Sequence, residues 1–103
     1  MFARLHTLAT TPEQAERGLE IIRSVYLPWA RDSTGFRGLI RMVDRETGKT
    51  LVVTLWADEQ ALDASAASAA SLAERVAGAS GADYRSLEDF EVTLLDLHPD
   101  TTD

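Results

Sequence analysis

The chain has no cysteine and only two histidines in 103 residues. Without cysteine there is no disulfide framework, no thiolate nucleophile and no thiolate zinc site, and two imidazoles cannot form an all-histidine metal cage. Basic residues are scarce, 10 against 17 acidic, for a net charge of −7. That field repels phosphate backbones and anionic lipid, so nucleic acid is not an expected partner. No apolar run reaches the ~18 residues of a membrane span, and the Met1 to Arg4 start lacks the apolar stretch of a signal segment. The expectation is a soluble, cytoplasmic chain with no membrane partner. The stretch GLIRMVDRETGK, Gly38 to Lys49, lacks the glycine spacing of a phosphate loop, and neither Ser-His-Asp order nor paired catalytic carboxylates can be picked out.

What is present fits one core. A hydrophobic content of 45% over this length predicts a single domain, residues 1–97, with a polar tail at 98–103. Phe2 to Ala9 alternates as a strand, with Arg4 and His6 on the parity of Phe2 and Leu8. Thr11, Pro12 and Gln14 form a capping box with proline at the first helical position. Ala15, Leu19, Ile22, Tyr26 and Trp29 then mark the apolar stripe of a helix that Pro28 kinks or ends. After a loop at Asp32 to Gly35, Phe36 to Asp44 and Lys49 to Trp56 form a hairpin around a turn ending in Gly48. Asp58 and Glu59 start a second helix whose stripe is Leu62, Ala66, Ala69, Ala73 and Val76, continuous through the alanine-serine stretch and ended by Gly78 and Gly81. Phe90 to Leu97 is the predicted last strand.

The order βαββαβ predicts an α+β, ferredoxin-like antiparallel sheet with both helices on one face. Both parities of the middle strands carry large apolar residues, among them Leu39 and Val43 against Ile40 and Met42. A single copy would leave one greasy sheet face wet, so a homodimer is expected, with a ligand cavity between sheet and helices or within the shared interior.

Seven residues stand out as site candidates. His6 can move protons near neutrality, although packing is the competing reading because no orienting carboxylate is identifiable from spacing. Tyr26 is a candidate proton donor that could equally be core, and Trp29 shares its stripe. Arg4 pairs a carboxylate or binds ligand. Arg41, on one parity with Arg37, guards an edge strand or binds an anion. Thr54 offers a hydroxyl, and Trp56 is core or dimer seam before it is a stacking platform.

The segments LPWARDSTGFRG (Leu27 to Gly38), LW (Leu55-Trp56), DEQAL (Asp58 to Leu62) and FEV (Phe90 to Val92) together resemble the antibiotic biosynthesis monooxygenase family of dimeric α+β barrels. The resemblance implies two ferredoxin-like subunits pressed into a barrel. It also implies cofactor-independent oxidation of a small phenol- or quinol-type aromatic, with His6 and Tyr26 handling protons; no cofactor is expected. The alternative is a non-catalytic dimeric binder or stress-associated protein. The family's haem-degrading branch depends on an asparagine in the first strand and a tryptophan and histidine in the second helix. His6, Ser65 and Arg75 stand at those positions here, which disfavours haem degradation.

Overall fold

The computed structural model describes residues 1–98. Its elements run β1 (Phe2–Ala9), α1 (Pro12–Ile21), a π-helical turn (Ile22–Tyr26), α2 (Leu27–Asp32), β2 (Phe36–Val43), β3 (Lys49–Trp56), α3 (Glu59–Ser80) and β4 (Asp83–Glu91). The sheet order is β2-β3-β1-β4 with every neighbour antiparallel, the ferredoxin-like arrangement with β1 in the centre.

Local chemistry accounts for the helix ends. Thr11 Oγ1 accepts from Gln14 N while Gln14 Oε1 accepts from Thr11 N, a reciprocal cap that contributes about 1 kcal/mol. Gln14 Nε2 also donates to Gly81 O at 2.7 Å, tying the start of α1 to the end of α3. Asp58 caps α3 through Ala61 N, and α3 runs unbroken past Gly78 to a left-handed Gly81 at φ 80°. The chain does not stop or break at Pro28. Leu27 N–H reaches back five residues to Ile22 O, and this widened turn absorbs the ring and the missing N–H of proline, so the helix continues to Asp32.

The core lies between sheet and helices. Leu8 and Val52 of the sheet meet Ile22, Tyr26 and Ala30 of the first helical segment and Ala73, Val76 and Ala77 of α3. Alanines on α3 let its backbone approach the sheet closely. A second cluster packs Trp56 against Ala61 and Leu62.

Two bulges change which residues share a face. In β2 the register shifts between Phe36 and Gly38, leaving Arg37 as an extra residue on the edge. Arg41, opposite the buried Val52, therefore goes under the helices and not to the solvent edge with Arg37. In β4 a shift opposite Thr7 and Leu8 makes Arg85 the extra residue. The last strand is also displaced from its predicted span: β4 is Asp83–Glu91, and residues 92–98 form no strand within one copy. Val92 N still donates to Met1 O at 2.9 Å, after which the chain leaves the sheet. The predicted tail lies, from Pro99 onward, outside the described residues.

The face away from the helices carries Ile40, Met42 and Phe90, each more than two-fifths exposed, and beyond it Leu94 and Leu97 are 83% and 75% exposed. No helix among the described residues is long and apolar enough to cross a membrane.

Candidate functional site

His6 is the centre of the site. It lies mid-strand in β1 on the parity of Arg4 and Leu8, so alternation turns it toward the helices, and it is 2% exposed. Its Nε2 is 3.0 Å from Tyr26 Oη and its Nδ1 is 2.8 Å from Tyr84 Oη. Burial, and then the charge of Arg4, lower its pKa to about 4, against a smaller opposing pull from Asp89. The imidazole is therefore neutral at pH 7. Burial likewise raises the pKa of both tyrosines, which stay protonated donors.

Each partner arrives by a distinct piece of geometry. Tyr26 ends the widened helical turn and is 1% exposed. Tyr84 comes from β4 beyond the bulge and is half-buried. Between them lies a cavity of about 30 Å³ whose apolar walls include Leu8, Ile22, Val52 and Val76. Its far end is polar, with Thr10, Thr50, Gln14, Ser80 and Arg41. Arg41 Nη2 donates to Ala15 O at 2.8 Å, and burial lowers the pKa of this guanidinium. Gly18 makes room for it, since a Cβ there would stand 3.1 Å from Nη2.

The cavity thus gathers His6, Tyr26 and Arg41, together with Tyr84, which lies before the predicted last strand and was not among the sequence candidates. Its strand pattern was masked by charges at alternate edge positions. Arg4, Thr54 and Trp56 are not brought to the cavity. Arg4 is 0% exposed, and its three nitrogens are engaged by Asp89 Oδ1 at 3.1 Å, Ser65 Oγ at 2.9 Å and Leu62 O at 2.9 Å, which ties β1 to β4 and α3. Trp56 Nε1 donates to Thr54 Oγ1 at 2.9 Å, so each satisfies the other inside the core. Trp29 lines a separate open groove with Ser68, Ser71 and Arg75. Among the described residues no buried side-chain polar atom lacks a partner, and no cluster of three or more metal-ligating side chains occurs.

The aromatic rings form one continuous edge-to-face series. Centroids step from Tyr84 to His6 (6.0 Å), Tyr26 (5.8 Å), Trp29 (5.3 Å), Trp56 (6.3 Å) and Phe36 (5.7 Å). The series crosses the core from β4 to β2, and each contact adds about 0.5–1.5 kcal/mol beyond area burial.

Known proteins share this architecture. A monooxygenase from the ActVA-Orf6 gene of Streptomyces coelicolor, solved with nanaomycin D, superposes with a TM-score of 0.71 at 15% identity, covering 95% of this chain and 92% of that one. SnoaB, a cofactor-independent oxygenase of Streptomyces nogalater, gives 0.69 at 12% identity over 91% and 94%. The haem-degrader MhuD of Mycobacterium tuberculosis gives 0.61 at 28% identity over 95% and 100%. By sequence, the uncharacterized protein Rv2558 of Mycobacterium tuberculosis is 26% identical over 95 residues, 92% of this chain. The chain spans about 40% of that relative's length. No protein-family model matches. The fold is that of the antibiotic-biosynthesis-monooxygenase-like proteins.

Proposed function

We propose that the chain works as a homodimer that takes a small phenol- or quinol-type aromatic beside His6 and oxidises it without a cofactor. The observation that carries this reading is the Tyr26–His6–Tyr84 hydrogen-bonded chain beside the apolar walls of the cavity. A phenolic hydroxyl is the chemical equal of the tyrosine hydroxyls already there, so it can join the same chain. Both nitrogens of His6 are engaged, so the substrate proton reaches the imidazole through Tyr26. The free imidazole is a weak base, but an oxyanion forming beside it favours the imidazolium by charge attraction. The resulting electron-rich anion is the species that reacts directly with oxygen. Arg41, which lines the cavity, attracts an anionic substituent in this reading.

The cavity of about 30 Å³ holds little more than a water, whereas a benzene-sized guest needs roughly 150 Å³. Binding must therefore move a wall. One of the walls is α3, which faces the cavity with Ala73, Val76 and Ser80. A non-catalytic dimeric binder, or a module that takes no ligand, draws its support from the same small volume.

The test is a panel of phenols and hydroquinones, read by melting temperature and by oxygen consumption. A ligand at a hundred times its Kd is expected to stabilise the fold by about 2.7 kcal/mol. His6→Ala is expected to abolish oxygen uptake. Binding without turnover selects the non-catalytic reading, and absence of both overturns the site. Titration with haem forms a separate arm, in which no tight complex is expected.

A further inference from the structure

The extra residue in β4 decides which side chain meets His6. From Glu91 to Ser86, β4 pairs with β1 residue for residue, with Leu87 opposite His6 and Ser86 opposite Thr7. A regular ladder would continue with Arg85 opposite Leu8 and would leave Tyr84 on the open face, because paired residues share a face and successive ones alternate. Instead Tyr84 stands opposite Leu8. The bulge reverses the alternation and delivers Tyr84 Oη to within 2.8 Å of His6 Nδ1.

A neutral imidazole has one N–H, so the two tyrosines cannot play the same part. Tyr26 Oη is buried, and His6 Nε2 is its hydrogen-bond partner among the described residues. A buried hydroxyl hydrogen without an acceptor costs roughly 1–3 kcal/mol, and an unfilled lone pair costs less. Tyr26 therefore donates to Nε2. The ring proton is then on Nδ1 and needs an acceptor, and Tyr84 Oη supplies it while turning its own hydrogen toward solvent.

We propose that Tyr84 is a positioning residue that fixes His6 in its Nδ1-protonated tautomer and keeps Nε2 open to the proton of Tyr26. This deepens the proton-handling reading of the site and rests on it. When the substrate O–H passes its proton to Tyr26 Oη, Tyr26 passes its own to Nε2. The products are a substrate oxyanion and an imidazolium whose two N–H groups both have hydroxyl acceptors. No other bond breaks.

The test is nitrogen-15 NMR of the imidazoles in substrate-free protein at neutral pH, with the exposed His98 as internal reference. Wild type is expected to carry the His6 proton on Nδ1. Tyr84→Phe orphans one donor in either tautomer and is expected to spread the proton over both nitrogens, whereas Tyr26→Phe leaves it on Nδ1. A wild-type ring protonated on Nε2, or an unchanged ring in folded Tyr84→Phe, overturns the proposal. Should Tyr84→Phe fail to fold, the wild-type spectrum decides alone. Since no turnover is needed, an unchanged tautomer in an active protein sinks this proposal only. The expected tautomers in an inactive protein sink only the functional reading.

Discussion

His6 is a buried base whose charge state the fold controls, and this ties stability to pH. The unfolded chain protonates this ring near 6.5 and the folded chain only near 4, mainly because burial penalises the cation. A folded-state value below the unfolded one means the contribution is intact above pH 6.5 and is lost as pH falls toward 4. The loss amounts to about 3 kcal/mol. Urea unfolding at pH 7 and pH 4.5 is expected to show this drop in wild type and a smaller one in His6→Gln; equal drops would rule out His6 as the source. Arg4→Ala removes the buried partner of an exposed Asp89 and leaves Ser65 Oγ and Leu62 O with only their bond to each other, at an expected cost of about 2 kcal/mol in the same measurement. Alternation alone put Arg4 and His6 on one face with Leu8, and helical spacing put Tyr26 on the apolar stripe of its helix. Tyr84 could not be found that way, because its face depends on a bulge, and a bulge leaves no mark in a pattern of charged and apolar letters.

Elements deviate from their ideal forms at sites with local causes. At Gly48, φ is 78° and an added Cβ would fall 2.0 Å from Thr10 O, so Gly48→Ala combines a left-handed backbone with a backbone clash. It is expected to destabilise the hairpin by roughly 3 kcal/mol or more. Gly78 lies inside α3 with nothing near its missing Cβ, and Gly78→Ala is expected to stabilise by about 0.5–1 kcal/mol. Melting curves of the two variants should move in opposite directions. The starts of α1 and α3 and the span of β3 were legible because caps, proline and glycine are local signals. The last strand was not: residues 83–91 are too charged to show an apolar alternation, whereas Phe90 to Leu97 predicted a strand that the fold leaves largely unpaired. Alternation reports what a segment will be packed against, and here that covering is absent from a single chain.

At the scale of the whole molecule, the uncovered apolar face and the projecting Leu94 and Leu97 support the proposed self-association. Sedimentation at micromolar concentration is expected to give twice the mass of one chain. A Met42→Asp, Leu94→Asp double variant is expected to sediment as single copies with reduced stability; a wild type that sediments as one well-folded copy would refute the dimer. The βαββαβ order was readable because each crossover is constrained by handedness, whereas the volume of the chamber depends on how closely an alanine-rich helix settles, which no pattern encodes. The ring series through the core has an optical consequence. Trp29 and Trp56 are the chain's only two indoles, with centroids 6.3 Å apart, one half-buried beside an open groove and the other sealed from water. Excitation absorbed by either will pass between them, so emission and near-ultraviolet dichroism form a built-in gauge of how the core packs around the two rings, readable without any attached dye.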